Sequence, residues 1–234
     1  MLLPRTRQPG ILIKRYKRFL ADITLSDGSK LTVHCPNSGS MRGCAVPGSR
    51  VILSKSENKN RKYAWTLEMV ENNGVWIGVN TAMTNHIVRE ALENGLIDDF
   101  GKITSVQAEV KVSEKSRLDF LIQTENGPAY IEVKNCSLVE DKTAMFPDAV
   151  TARGTKHLLE LEHLLKNGVR AAVLFCVQRA DGDCFRPALE IDPLYAKTLS
   201  EVQQKGVKVL VYRANVQPES VTLTGKISLC RDAL

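Results

Sequence analysis

Three residues near the middle of the chain have the types and spacing that phosphodiester chemistry needs. Asp119, Glu132 and Lys134 lie in the stretch SRLDFLIQTENGPAYIEVKN, which contains an Asn126-Gly127 turn signal. If that dipeptide forms a two-residue hairpin turn, Asp119 lies opposite Lys134 and all three side chains share one face. Two carboxylates beside a lysine are typical of a Mg²⁺ or Mn²⁺ site, in which the metal activates water for attack on phosphorus and the lysine positions that water or balances charge.

The same spacing also fits an ordinary exposed strand face, on which Asp, Glu and Lys form cross-strand ion pairs of little energetic weight. Glu109, on the preceding strand, is a candidate third carboxylate for the metal. A tight turn through residues 113–116 pairs Val110 with Asp119 and sends Glu109 to the opposite face, so a shared site requires a different loop or a β-bulge. On the residues alone, both interpretations stay open.

A second group of candidate residues follows in the block FPDAVTARGTKHL. Asp148 is predicted to cap the N-terminus of a helix over residues 149–166. Arg153, Lys156 and His157 are three and four residues apart, so they share a helix face that can contact phosphate. For His157 we favour a plain surface position over a role as general base.

The elements that must position these residues alternate between strand and helix patterns after residue 81. A helical stripe comes first, and Gly95 ends it. Three strands then precede a helix, strand, helix, strand order, which indicates an α/β domain with a mixed sheet. The predicted strands cover residues 106–112, 117–123, 129–135, 171–177 and 207–212, and the last helix covers 193–205.

The first 80 residues carry almost no helical period. Runs rich in β-branched residues, separated by turn signals, predict five strands over residues 11–25, 30–35, 50–54, 63–70 and 75–79. A segment this short closes most economically into a small barrel, and the OB-fold is the common nucleic-acid-binding version. We therefore predict a basic OB-like domain over residues 1–80 and an α/β domain over residues 81–234.

The net charge of +6 is concentrated in the first of these segments. Residues 1–80 carry 13 Lys and Arg against 5 Asp and Glu, whereas residues 81–234 carry 19 against 21. Such an imbalance favours a polyanionic partner, of which nucleic acid is the commonest soluble example. A merely well-solvated domain is the alternative.

Two stretches of this segment are candidate contacts with nucleic acid. Lys14, Arg15, Tyr16, Lys17 and Arg18 interleave cations with an aromatic ring on one predicted strand, a mixture that neutralises phosphates and stacks on bases, although an edge strand protected by charge has the same composition. The turn-rich stretch HCPNSGSM is explained either by its structural role as a turn or by contact of its free backbone donors with phosphate oxygens, and Arg42 follows it.

The cysteines and the hydropathy indicate a compartment. The six cysteines are scattered without a Cys-x-x-Cys pair, so they are expected to be reduced, as small buried residues or idle thiols. A zinc site at His34, Cys35 and Cys44 lacks a fourth ligand and paired spacing. No apolar run is long enough for a signal peptide or a membrane span, which points to the cytoplasm.

The chain resembles the sugar fermentation stimulation protein family of bacteria and archaea. The stretches RYKRFLADI, HCPNSGSM, SRLDF, YIEVKN and above all FPDAVTARGTKHL are similar to its signatures, in the same order. The resemblance implies an OB-like N-terminal domain, a C-terminal domain similar to the PD-(D/E)XK restriction-endonuclease fold, and a DNA-binding protein without sequence preference that is linked to regulation of sugar use such as maltose. Carried across, the motif falls on Asp119, Glu132 and Lys134, with Glu109 as a further acidic member and leucine in place of the motif's proline.

Three functions follow as hypotheses. The first is binding of DNA, double-stranded DNA being favoured, through the basic N-terminal domain. The second is a Mg²⁺- or Mn²⁺-dependent nuclease, which is compatible with the first because a nuclease must also hold its substrate. The third is a binding module for a sugar phosphate or a protein, with purely structural carboxylates. No membrane partner is expected, and a homodimer is compatible with the sequence.

Overall fold

The computed structural model describes residues 1–114 and 116–231, and begins with a small β-barrel. Its strands are β1 Arg7–Tyr16, β2 Leu20–Thr24, β3 Lys30–His34, β4 Arg50–Lys55, β5 Trp65–Asn72 and β6 Val75–Gly78. They follow the order β3-β2-β1-β4-β5-β6, and the barrel closes where His34 of β3 pairs with Thr66 of β5. The prediction of a small N-terminal barrel is confirmed, and the short strand β6 pairs with β5 beside this closure.

The barrel contains six strands rather than five, because the predicted strand over residues 11–25 is a hairpin. Lys17 and Arg18 both have positive φ, at 49° and 60°, and reverse the chain between β1 and β2. Tyr16 pairs with Leu20, so the hairpin loop consists of the three residues 17–19. Lys17 and Arg18 are therefore exposed at a turn, and the expectation that they lie on an extended strand was wrong.

A six-stranded mixed sheet forms the centre of the C-terminal part. Its strands are β7 Ile103–Ser113, β8 Ser116–Thr124, β9 Gly127–Cys136, β12 Arg170–Val177, β14 Lys208–Gln217 and β15 Ser220–Lys226, in the order β15-β14-β12-β9-β8-β7. Strand β12 runs parallel to β9 and β14, and the remaining pairs are antiparallel. The predicted α/β domain with a mixed sheet is confirmed.

Helices cover both faces of this sheet. Helix α1 (Thr84–Glu93) packs on one face, while α2 (Ala152–Lys166) and α3 (Pro193–Gln204) pack on the other. Successive side chains of β12 enter the two cores alternately, which is why its sequence is apolar without interruption. None of the helices in the described residues is long and apolar enough to cross a membrane.

A second, smaller sheet was not predicted. It consists of β10 Leu138–Glu140, β11 Thr143–Phe146, β13 Cys184–Pro187 and β16 Ser228–Leu229. Cys184 and Cys230 form a disulfide at its edge, which corrects the expectation that every cysteine is a free thiol. The other four cysteines are free and buried, as expected of small apolar residues.

The disulfide gives a first testable prediction. It closes a loop across a sequence separation of 46 residues. Loss of such a constraint enlarges the unfolded ensemble, so Cys184→Ser is expected to lower the free energy of unfolding by about 2–4 kcal/mol, measured by urea denaturation. Wild-type protein in reducing buffer should match the variant. Titration of six thiols, instead of four, in denatured unreduced wild-type protein would contradict the assignment.

Candidate functional site

The hairpin of β8 and β9 positions the three predicted catalytic residues. Phe120 pairs with Ile131 and Thr124 with Gly127, so the turn consists of residues 125 and 126. The predicted Asn126-Gly127 turn was wrong because Thr124 fixes the reversal, its Oγ1 accepting from the Asn126 amide at 3.1 Å and donating to the Gly127 carbonyl at 2.9 Å. The pairing is displaced by two residues, and an even displacement keeps every side chain on its predicted face.

Asp119 lies where β8 and β9 separate. One carboxylate oxygen accepts from the Val133 backbone amide at 2.7 Å, and the other accepts from Asn85 Nδ2, on helix α1, at 2.8 Å. Burial and then the neighbouring Glu132 carboxylate raise the pKa of Asp119 to about 6. The carboxylate is therefore held rigidly in a position that is unfavourable for its charge.

Glu132 is buried at 3% exposure and is only half satisfied. Its Oε1 accepts from Lys134 Nζ at 2.5 Å and from His157 Nδ1. Its Oε2 is buried and has no hydrogen-bond partner among the described residues. Burial raises the pKa of Glu132, but His157 and Lys134 together outweigh burial and hold it below its usual value. One oxygen of an ionised carboxylate thus remains for a ligand.

His157 is buried at 5% exposure, so the expectation of a surface histidine was wrong. Arg153 Nε donates to His157 Nε2 at 3.4 Å, which assigns the ring proton to Nδ1, where it is donated to Glu132. The three residues predicted to share a face of α2 therefore have different roles. Arg153 and Lys156 are exposed, whereas His157 orients the carboxylate below them.

Glu109 lies on the same side of the sheet as Asp119. Ala108 pairs with Phe120 and Val110 with Leu118, so Glu109 is level with Asp119 and the tight-turn pairing of Val110 with Asp119 was wrong. The pairing shifts register between Lys111 and Ser113. This shift is the kind of irregularity that the sequence analysis required for Glu109 and Asp119 to share one face. Glu109 is exposed and has a φ of 55°, a backbone conformation that non-glycine residues rarely adopt.

These residues line a cleft of about 1070 Å³. Asp119, Glu132 and His157 lie at its base, and Glu109 lies at the rim. Its other charged lining residues are Lys111, Glu114, Arg117, Lys134, Arg153 and Lys156. Within residues 1–114 and 116–231, no three Asp, Glu, His or Cys side chains converge closely enough to enclose a metal ion by themselves. A cation at Asp119 and Glu132 would therefore share its coordination shell with backbone, water or substrate oxygens, which is typical of Mg²⁺.

The predicted nucleic-acid-binding residues of the barrel do not join this cleft. Lys14 lies over the Tyr16 ring, 5.3 Å from its centroid, and Lys17 and Arg18 are exposed at their turn. Arg42 is exposed and pairs with Glu140 at 3.1 Å. None of these residues is among those that line the cleft in the described part of the chain. Their role in binding nucleic acid stays a prediction.

Arg15 has a different position from its neighbours. Its guanidinium donates to the backbone carbonyls of Asn37 at 2.8 Å, Gly39 at 2.9 Å and Ser40 at 3.1 Å. It also donates to the Arg18 carbonyl at 3.0 Å. Arg15 therefore holds the loop of residues 37–40, and its role in binding nucleic acid stays a prediction.

Asp148 also contacts that loop and does not cap α2. Its Oδ2 accepts from the Met41 amide at 2.9 Å, and its carbonyl accepts from Ser40 Oγ at 2.6 Å. Thr151 is the helix cap instead, because its Oγ1 accepts from the Gly154 amide at 3.1 Å. Asp148 thus joins the C-terminal part to the barrel beside the cleft, a role that no local sequence signal indicates.

The raised pKa of Asp119 is directly measurable. Because its carboxyl takes up a proton near pH 6 in the folded chain but near its ordinary value of 3.8 in the unfolded chain, it lowers the free energy of unfolding as the pH rises from about 4 to about 6. A carboxyl ¹³C NMR titration of metal-free protein should show one aspartate with a midpoint near pH 6. Asp119→Asn should remove that signal, and a midpoint near 4 would contradict the described environment.

The fold and the cleft define a class of protein in which an OB-type barrel is joined to a mixed α/β domain with an acidic site on a central hairpin. The model of the SfsA N-terminal OB domain matches residues 13–79, and that of the sugar fermentation stimulation protein RE domain matches residues 82–220. The chain belongs to the sugar fermentation stimulation protein family. The division into domains at residues 80 and 81 stays a prediction.

Similar proteins span nearly the whole chain. The sugar fermentation stimulation protein homolog of Desulfotalea psychrophila is 56% identical over 208 residues, covering 89% of this chain and 88% of the homolog. The homolog of Pelobacter propionicus is 50% identical over 218 residues, which cover 93% of this chain and 95% of the homolog. The structure of Pyrococcus furiosus SfsA in complex with Ca²⁺ superposes with a TM-score of 0.89 at 24% identity and covers 98% of both chains, which shows the shared fold.

Proposed function

We propose that this protein binds DNA without marked sequence preference and hydrolyses its phosphodiester bonds with a divalent metal ion, Mg²⁺ or Mn²⁺, held by Asp119 and Glu132. The observation that carries the proposal is the unpartnered, buried Oε2 of Glu132 beside a second carboxylate. A buried charged oxygen without a partner is costly, and a cation removes that cost. The family's link to sugar use rests on the resemblance alone.

The donor set fits a hard divalent cation. Asp119 and Glu132 supply carboxylate oxygens, which Mg²⁺ and Mn²⁺ prefer. The Val133 carbonyl leaves the strand on the same edge as its amide, which Asp119 binds, so it is a third oxygen donor. Glu109, at the rim, is level with Asp119 and is the remaining acidic candidate. The Pyrococcus furiosus protein was solved with Ca²⁺, and a divalent cation is what this donor set supports here.

A bound divalent ion would activate a water for attack on phosphorus and offset the charge of the transition state. The protein's own groups supply the rest. Lys134, held against Glu132 at 2.5 Å and 12% exposed, would place a positive charge beside the attacking water or the non-bridging oxygens. His157 binds Oε1 of Glu132 and orients this carboxylate, so that Oε2 would be available to hold the ion.

The exposed cations around the cleft would hold the substrate. Lys111, Arg117, Arg153 and Lys156 line it, so phosphates on either side of the scissile bond find a positive partner. These contacts read charge rather than base identity, which predicts weak sequence preference. The exposed barrel cations would extend the length of DNA that the protein contacts, and they are Lys14, Lys17, Arg18 and Arg42.

Metal-dependent cleavage tests this function. Purified full-length protein is incubated with supercoiled, linear and single-stranded DNA in Mg²⁺, in Mn²⁺ and in EDTA. We expect cleavage with at least one of the metals and none in EDTA. Absence of cleavage of every DNA form with both metals would overturn the nuclease proposal and leave DNA binding to be judged separately.

The binding part of the proposal predicts a steep salt dependence. In EDTA, the affinity for unrelated duplexes should fall together as salt rises, because phosphate neutralisation releases counterions. Arg153→Ala and Lys156→Ala should each reduce the log–log salt slope by about one, since each removes about one phosphate contact. Fluorescence anisotropy over a salt series measures both effects.

The exposed Lys197 lies on α3 and does not line the cleft, so Lys197→Ala serves as the matched control for these lysine and arginine variants. A flat salt response in the wild-type protein, or equal slopes in all variants, would contradict binding through the cleft.

A further inference from the structure

A smaller cavity of about 250 Å³ opens from the catalytic cleft beside Lys134. One wall is the loop of residues 37–39 from the barrel, and the other consists of residues 145–151. The cavity and the cleft share four lining residues, Ser38, Thr81, Val133 and Lys134. The cavity therefore adjoins the cleft, so one ligand can occupy the cavity and the site at Asp119 and Glu132 at the same time.

Asn135 presents hydrogen-bond donors to this cavity. Its Oδ1 accepts from Gln178 Nε2 at 2.5 Å and from Thr84 Oγ1 at 3.3 Å. Gln178 is buried at 1% exposure, so the amide orientation of Asn135 is fixed from the protein interior. The two N–H groups of Asn135 Nδ2 then remain for an acceptor, and Asn135 itself lines the cavity.

The opposite wall presents backbone amides. Arg15 binds the carbonyls of Asn37 and Gly39, and in a planar trans peptide the following amide points the opposite way. The Ser38 and Ser40 amides therefore point away from Arg15, and neither donates to a protein group among the described residues. Of these residues Ser38 lines the cavity, so its amide and hydroxyl are the donors available to a phosphate there, whereas the Gly39 amide donates to Asn37 Oδ1 at 2.9 Å.

The wall is held in place by a close contact between the two parts of the chain. Asp148 accepts from Met41 and Ser40, and a Cβ on Gly39 would lie 2.4 Å from Asp148 Oδ1. Only glycine permits this approach, so the loop is fixed against residues 145–151. The cavity is thus formed before a ligand arrives.

We infer that this cavity is a subsite for one unpaired nucleotide of the DNA strand adjacent to the scissile phosphate. Its phosphate lies on the amide and hydroxyl of Ser38, and the base meets Asn135 with Phe146 as part of the apolar wall. A base inside a duplex has its pairing edge occupied and is stacked on both sides, so it enters such a pocket only when unpaired. The inference rests on the proposed function and narrows its substrate to DNA with unpaired nucleotides.

Binding without metal tests the inference separately from cleavage. Full-length protein is titrated in EDTA with a fully paired duplex and with the same duplex carrying a short single-stranded overhang. Wild-type protein is expected to bind the overhang duplex about tenfold more tightly, a typical value for one well-held base. Ala149→Trp should fill the cavity and Asn135→Asp should remove the amide donors, and each should abolish the preference while retaining affinity for the paired duplex.

Leu159→Trp, on the exposed side of α2 and away from the cavity, is the matched control and should keep the preference. Equal affinity of wild-type protein for the two duplexes would overturn the inference, as would an equal loss of both affinities in Ala149→Trp. Absence of cleavage with any metal, together with a preserved overhang preference, would instead overturn only the nuclease proposal.

Discussion

Asp119→Asn and Glu132→Gln are each expected to lower metal-dependent DNA cleavage by about 10³-fold or more, while binding of DNA in EDTA changes by less than about threefold. Each substitution removes a carboxylate charge from the two that face the proposed cation. The shape of the side chain is preserved, so the hairpin should keep its register. The rate of nicking of supercoiled DNA and fluorescence anisotropy in EDTA measure the two quantities.

Glu201→Gln provides the control for this pair of variants. Glu201 is an exposed carboxylate on α3 that pairs with Lys197, outside the cleft. Its removal should leave cleavage unchanged. If Asp119→Asn or Glu132→Gln retains wild-type cleavage, the activity arises elsewhere. If either variant loses DNA binding in EDTA as strongly as cleavage, the carboxylates hold the fold rather than a metal.

Lys134→Met is expected to lower cleavage by about 10²–10³-fold and to leave Mn²⁺ binding in place. Methionine keeps most of the apolar stem that packs in the site but removes the charge that lies 2.5 Å from Glu132. His157 still orients Glu132 in this variant, so the carboxylate geometry persists. Separate measurements of cleavage and of Mn²⁺ binding by calorimetry distinguish loss of chemistry from loss of the ion.

Lys197→Met, at an exposed position on α3, is the matched lysine control and should behave as wild type in both measurements. Wild-type cleavage by Lys134→Met would remove the lysine from the mechanism. Loss of Mn²⁺ binding in the same variant would show that Lys134 is needed to assemble the site, contrary to the role proposed for it.

The shared face of Asp119, Glu132 and Lys134 was predictable even though the turn was not. Strand periodicity fixes which side chains alternate, and a two-residue displacement of the pairing preserves that alternation. The turn depends on Thr124 side-chain hydrogen bonds, which compete with the Asn-Gly signal. Because the register is displaced, Asp119 lies opposite Glu132 and not opposite Lys134.

Long-range partners explain the other differences. His157 has the composition of a surface residue on α2, but its partner Glu132 lies 25 residues earlier on β9 and draws it into the interior. Arg15 belongs to a cationic run, but its acceptors are carbonyls of a loop more than 20 residues later. The pairing of Cys184 with Cys230 has no spacing signal. Local patterns predicted the helices and five of the six strands of the central sheet but not β15 or the smaller sheet, and tertiary packing decided these roles.

The most direct test of the metal site is anomalous diffraction from crystals of the full-length protein grown or soaked with Mn²⁺. The proposed function predicts one strong anomalous peak within coordination distance of Glu132 Oε2 and an Asp119 oxygen, and its loss in Glu132→Gln. A peak at other residues, or no peak at this site at saturating Mn²⁺, would contradict the assignment of Asp119 and Glu132 as metal ligands.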